Sequence, residues 1–190
     1  MTQIDWTRLR DAERVEGFKA VMMVNLDGEE VQAPFTGGWL NYADATHTEG
    51  SPQSVTADTS TLMTIDGAGG GTEQRFRRGI DTDVWSGNTL RPQAVGESYL
   101  ARVTMKVAKA TSNATTLELD LGIGTDWGTI IADERKPLTK GQGVTDNMSF
   151  TFPIYCMETF GKHGGRFYLL ATENVTVWAK SIFIQRLFTP

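Results

Sequence analysis

Apolar positions alternate along two neighbouring stretches. Tyr99, Ala101, Val103, Met105 and Val107 fall on one side of the first, and Leu117, Leu119, Leu121 and Ile123 on one side of the second. A period of two predicts half-buried strands over Tyr99 to Val107 and Thr116 to Ile123. The connection Ala108 to Thr115 is small and polar, without helical spacing, so the two strands are expected to pair as an antiparallel hairpin. Arg102, Thr104 and Lys106 would then lie opposite Glu118 and Asp120 on the water-facing side. A third row, Met148, Phe150, Phe152 and Ile154, alternates with polar residues up to Pro153, which cannot donate to a ladder and so predicts an edge or a bulge there. Arg166 to Ala171 and Val175 to Phe188 read as a last hairpin around Thr172-Glu173-Asn174, and Met157 to Gly165 as a loop or one helical turn. Shorter strands are expected at Trp39 to Ala43, Thr61 to Ile65 and around Ile130-Ile131. Thr72 to Pro92 has no sustained period and suits a long connection pinned by a few apolar anchors. Many strands, with long uneven connections early and short ones late, predict an all-β fold, a two-sheet jelly-roll sandwich.

The last hairpin is apolar on both sides. Phe167, Leu169 and Ala171 alternate with Tyr168 and Leu170, while Trp178, Ile182, Ile184 and Phe188 alternate with Val177, Ala179, Phe183 and Leu187. A sheet in a lone sandwich has one inner face, so one of these rows needs another cover. A subunit interface is the economical cover, which makes Tyr168, Leu170, Trp178, Ile182, Ile184 and Phe188 candidate contacts between copies. The alternative is that the N-terminal hairpin or the Thr72 to Pro92 connection lies over the row.

Residues 1–37 follow a different pattern. Asp5 can cap a short helix with Trp6 and Leu9 on one face, and strand-like runs at Ala20 to Val24 and Val31 flank an Asp27-Gly28 hairpin cue. Too few apolar residues remain for a separate core. This segment is expected to dock on something, as an attachment arm of short helix plus hairpin that contacts its partner through Trp6, Leu9, Val21 and Met23. Pro34 to Gly38 reads as a hinge, and residues 38–190 as the sandwich domain.

Composition narrows the function classes. The 190 residues suit one domain of about 150 residues plus an appendage. The 20 Gly and the aromatics (5 Trp, 9 Phe, 4 Tyr) favour strands and turns over helices. A net charge of -5 argues against a nucleic-acid partner. The single cysteine, Cys156, excludes an intrachain disulfide framework. Met1 to Arg14 lacks the apolar segment of a secretory signal, so maturation in a cytosol is expected. No apolar run approaches the roughly 20 residues of a membrane span, so a membrane role is not expected.

Candidate chemistry is sparse. His47 and His163 sit in polar or Gly-rich stretches with no second imidazole or thiolate at metal-ligand spacing. Cys156 follows an apolar strand end, where a small buried hydrophobe is the usual role. Asp27-Gly28-Glu29-Glu30 and Asp81-Thr82-Asp83 lack a calcium-loop ligand ladder. Gly67 to Gly71 lacks the Lys-Ser/Thr and helix of a phosphate loop. Arg75, Arg77 and Arg78 around Phe76 form a basic cluster that reads as a protein contact in an acidic chain. No catalytic site, cofactor or metal is expected. Trp85 and Trp127, with Asp83 and Asp126 nearby, are candidate receptor or carbohydrate contacts, a role that requires exposed rings.

Several segments carry a family resemblance. Gly38-Trp39-Leu40-Asn41-Tyr42, Gly96 to Val103, Leu117-Glu118-Leu119-Asp120-Leu121-Gly122, Phe150 to Tyr155, Gly164 to Leu169 and Val177 to Ile182 resemble, in order and spacing, a jelly-roll domain of tailed-bacteriophage structural proteins. The resemblance covers roughly residues 37–190 and its motifs are structural. It implies a virion protein made in the host cytoplasm, commonly a trimer that serves as a decoration protein, head fibre or receptor-binding tip. The expectation is a non-enzymatic homotrimer attached by its arm to other virion proteins, on the capsid rather than the tail. A tail-associated receptor or carbohydrate binder is the alternative.

Overall fold

The alternating stretches build two antiparallel sheets packed face to face in a computed structural model that describes residues 38–66, 84–124 and 129–188, and two short strands before them. One sheet runs in the order β10 (Ile130–Pro137), β9 (Thr116–Ile123), β12 (Gly165–Ala171), β7 (Thr89–Leu90) and β6 (Trp85–Ser86), with β5 (Thr61–Leu62) also paired to β12. The other runs β11 (Asp146–Tyr155), β8 (Ser98–Lys109), β13 (Val175–Phe188) and β3 (Trp39–Ala43), with β4 (Gln53–Val55) also paired to β13. The chain passes from sheet to sheet between β8 and β9, β10 and β11, β11 and β12, and β12 and β13. That is the winding of a jelly-roll sandwich, and the all-β fold expected from the sequence is the fold observed.

Two expected hairpins are absent. β8 pairs with β11 and β13, and β9 with β10 and β12, so the two cleanest strands of the sequence lie in opposite sheets. Likewise β12 and β13 are joined by an arch across the sandwich and not by a turn within a sheet. The reason is that alternation reports which side of a strand is buried and says nothing of its hydrogen-bonding partner. The inward row of β8, from Tyr99 to Val107, and that of β9, from Leu117 to Leu121, supply both walls of one core. A connection the length of Ala110 to Thr115 easily spans the roughly 10 Å between packed sheets. The true neighbours of Arg102 are Thr151 and Phe183, and Glu118 sits between Arg135 and Leu170.

A bulge explains the two-sided apolarity of the last strand. Val177 lies opposite Val107 and Trp178 opposite Lys106, but the next pairs are Ser181 with Thr104 and Ile182 with Val103, so β13 carries one extra residue at Ala179-Lys180. Ala179 takes up the kink at φ 49. Side-chain parity reverses there: Val175 and Val177 point inward before the bulge, and Ile182 and Ile184 point inward after it. Trp178 therefore does not share a face with Ile182 and Ile184. The latter two are fully buried in the core, which corrects their expected role as contacts between copies. Tyr168 and Trp178 are buried within the single chain as well, and Leu170 is half-buried. The side chain of Phe188 lies outside the described residues.

The free edge of β11 is occupied by side chains of β10. Glu134 Oε2 accepts the Thr151 N–H at 2.8 Å, and Lys136 donates to the Ser149 carbonyl while its ammonium lies 5.3 Å from the centre of the Phe150 ring. Pro153, next on the same side, has no N–H to offer. The expectation that Pro153 marks an edge holds. After β11, α1 (Glu158–His163) buries Phe160 and ends at Gly164, whose N–H donates to the Phe160 carbonyl at 2.7 Å.

The chain divides into two units, Met1–Phe35 and Thr36–Pro190. In the first, β1 (Met22–Val24) pairs antiparallel with β2 (Glu30–Gln32) in the register Met22 to Gln32, as the Asp27-Gly28 cue predicts. Met23 is on β1. The expected helix with Trp6 and Leu9, and Val21, lie outside the described residues.

Candidate functional site

Where β13 bulges, β3 ends and the chain folds back on the kink. Asp44 N–H donates to the Lys180 carbonyl at 2.8 Å, and Ala179 N–H donates to the His47 carbonyl at 3.1 Å. The bulge also turns Lys180 inward. Its Nζ lies 2.6 Å from Asp44 Oδ2, with both side chains at 0% exposure, and His47 Nδ1 reaches the same oxygen at 2.8 Å. Asp44 Oδ1 accepts the backbone N–H groups of Thr46 at 3.1 Å and His47 at 3.4 Å. Burial opposes the charged carboxylate, but hydrogen bonds from Lys180 and His47 outweigh it and hold Asp44 below the usual carboxylate range. Burial pushes the Lys180 ammonium down, against the pull of Asp44.

A histidine on a buried carboxylate invites comparison with a catalytic pair. Among the described residues, no Ser, Thr or Cys side chain is hydrogen-bonded to the His47 ring, whose Nδ1 meets Asp44. The arrangement works as a clasp, tying the β3–β4 connection to the bulge of β13. His163 is exposed on α1.

A second clasp lies further along the same sheet, where β8 begins beside the last pairs of β13. Glu97 Oε2 accepts Gln93 N–H at 2.8 Å, Ala94 N–H at 2.9 Å and the Tyr99 hydroxyl, while Oε1 lies 3.2 Å from Arg186 Nη1. These partners overcome the cost of burial and hold Glu97 low. Burial and the Glu97 carboxylate push the Tyr99 phenol up, and burial with the same charge raises the Cys156 thiol. A thiol held in its protonated form is a poor nucleophile, and Cys156 is fully buried. Asp146 completes the set: despite burial, the Lys140 and Thr139 backbone N–H groups and the Thr139 hydroxyl hold it low.

Asp44, Glu97 and Asp146 give stability a definite pH sense. Each is more acidic folded than unfolded, so each contributes stability that is present above the unfolded value near ~4 and lost as pH falls through the folded value. The urea midpoint is expected to be level between about pH 7 and pH 5 and to drop below about pH 4. An unchanged midpoint at about pH 3 would contradict the carboxylate network.

The remaining candidates are surfaces. Trp85 is 3% exposed, its ring 6.0 Å from that of Phe167 inside the core, and cannot serve as a receptor contact. The correction has a plain cause: Trp85 starts a short two-strand turn closed by Gly87-Asn88, and that turn packs on the core. Trp127 lies outside the described residues. No group of three or more His, Cys, Asp or Glu able to hold a metal ion occurs among the described residues. No described helix is long and apolar enough to cross a membrane.

Sequence reasoning missed two surfaces. At one end of the sandwich Val95, Tyr155, Met157 and Leu187 are exposed, Tyr155 to 62% and Met157 to 67%. Their grouping follows from register: Tyr155 lies opposite Ser98, which lies opposite Phe188, and Gly96 N–H donates to the Cys156 carbonyl at 2.7 Å. β3 begins at this end too, where the Gly38 carbonyl accepts Arg186 N–H at 2.9 Å. The second surface is the outer face of the β11–β8–β13–β3 sheet. There the Trp39 and Phe183 rings sit 5.6 Å apart at 32°, and the Arg102 guanidinium lies 5.5 Å from the Phe183 centroid. The alternate row of β13 carries the signal for it, once the bulge is allowed for.

No family model matches the sequence, and no curated protein matches it. Among solved structures the chain is similar to an Eiger TNF from S. frugiperda, at 10% identity and a TM-score of 0.47, over 82% of this chain and 95% of that one. It is also similar to the PRD1 vertex protein P5, at 19% identity and a TM-score of 0.40, over 80% of this chain and 98% of that one. The coat protein of Tobacco streak virus is a third, at 9% identity and a TM-score of 0.35, over 84% of this chain and 92% of that one. The likeness is one of outline.

Proposed function

We propose that this protein is a non-enzymatic bacteriophage virion structural protein of the decoration or head-fibre type. Residues 38–190 form the body of a homotrimer, and residues 1–37 are the arm that attaches it to the capsid. The supporting observation is the polarity of the body. Of its exposed large apolar side chains, Val95, Tyr155, Met157 and Leu187 lie at the end where its first strand begins, while Ile130 and Ile131 start the edge strand β10 and Val144 lies in the loop before β11. Apolar side chains that remain exposed in one cluster mark a contact surface, whereas scattered ones need no explanation. With Ile182 and Ile184 inside the core and Tyr168 and Trp178 covered, this end is where copies of the body would meet. The jelly-roll resemblance of residues 37–190 supplies the virion setting.

The test is deletion of residues 1–33. The shortened protein is expected to stay soluble, β-rich and trimeric by sedimentation, and to fail to join particles that lack the full-length protein. Normal occupancy on such particles would place attachment on the jelly roll, and a monomer at micromolar concentration would remove the trimer. In the full-length chain, Tyr155→Asp with Met157→Asp is expected to shift the trimer towards monomer.

A further inference from the structure

The outer face of the β11–β8–β13–β3 sheet has the chemistry of a glycan platform, and we propose that it binds an acidic polysaccharide along β8. This inference does not depend on where the protein sits on a particle. Three observations carry it. The first is charge. Among described strand residues that point outward from this sheet, Arg102 and Lys106 are the charged ones, both exposed, in a chain whose net charge is -5. Glu134 at the flanking edge is compensated by Lys136 at 2.8 Å. The two cations are four residues apart on one strand, about 13–14 Å along its axis. That spacing suits acidic groups on separated sugars of a chain lying along the strand.

The second is the aromatic pair. Phe183 is half-buried beside Trp39, and Arg102 lies over it, which sets an apolar ring surface directly against a cation. A sugar ring presents C–H groups on one face and hydroxyls at its rim, so the half-buried Trp39 ring, beside a guanidinium held on Phe183, matches it. The third is the row beside the stack. Thr104 Oγ1 and Ser181 Oγ are 2.7 Å apart and fix each other in place, offering ordered hydroxyls level with the sheet. A face of hydroxyls with two cations is too weakly basic for a nucleic-acid backbone, which rewards a dense array of Lys and Arg.

Binding of the full-length protein to a uronate chain (alginate oligomer) and to dextran sulfate, with neutral dextran of equal length as control, tests the proposal. Retention on at least one acidic polymer is expected, weakening as salt rises. Arg102→Gln and Lys106→Gln, both at exposed positions, should each weaken it about tenfold or more, the equivalent of roughly 1.4 kcal/mol. Phe183→Ser should weaken it with the circular dichroism of the folded protein unchanged. Failure to bind either acidic polymer overturns the proposal, as does equal binding of neutral dextran. Indifference to Arg102→Gln and Lys106→Gln overturns it too. Equally tight binding of poly-glutamate would replace it with an acidic-protein surface.

Discussion

Asp44→Ala is expected to cost about 3–5 kcal/mol of stability, more than any surface change in this chain, because it strands the Lys180 ammonium in the interior. Lys180 Nζ lies 2.6 Å from Asp44 Oδ2, and neither side chain touches solvent. Removing one partner of a buried pair leaves the other uncompensated, whereas replacing both by apolar groups of similar volume is often neutral. Asp44→Leu combined with Lys180→Met should therefore recover much of what Asp44→Ala loses. The two single changes should also be strongly non-additive, since they share one contact. Urea unfolding followed by tryptophan fluorescence reads both. A loss for Asp44→Ala within about 0.5 kcal/mol, the range of an ordinary surface substitution, would mean that the pair is not closed to water.

Gly164→Ala should be comparably damaging, for a reason of shape. Gly164 has φ 68 and ψ -168, a combination open in practice to glycine alone. A Cβ there would also lie 2.6 Å from the Leu90 carbonyl oxygen and 2.9 Å from Thr89 Cγ2. The carbonyl belongs to β7, which meets β12 through the pair Gly165 and Leu90, so relief requires pulling that strand away. Strain and clash together should cost about 3 kcal/mol or more. Gly165→Ala is the control. Its Cβ would come 2.5 Å from the buried Phe160 ring and 3.0 Å from the Gly122 carbonyl, but its φ lies outside the left-handed region, so it carries no backbone strain of that kind. Thermal unfolding should rank Gly164→Ala as the worse of the two, and the reverse order would show that β7 yields easily.

What was legible in the sequence was local. The inward rows of β8, β9 and β11 stand out because burial on one side imposes a period of two, and Pro153 announces an edge because it lacks an N–H. Partner choice between strands was not legible. Arg102 and Glu118 form a sensible pair on paper, yet Glu118 pairs with Arg135 and Arg102 rests on Phe183, since nothing in alternation fixes which sheet a strand joins. The bulge was hidden for a related reason. Ala179 gives no sign of φ 49, a value that the surrounding contacts impose, and one unnoticed residue put Ile182 and Ile184 in the same row as Trp178. Lys180 among apolar neighbours was the available signal. A lysine in a row otherwise made of core residues points to a buried acid, and Asp44 is 136 positions away in sequence.

The side chains that β10 lays along β11 bear on how the protein survives crowding. An open strand margin is a template on which another chain can stack its own backbone, and growth of that kind leads to fibrils. Here a newcomer would find the Thr151 donor held by Glu134, the Ser149 acceptor held by Lys136, and no donor at Pro153. Copies packed side by side at high local density thus find these backbone groups already taken along this flank. A lattice of such molecules can be dense without becoming a continuous sheet.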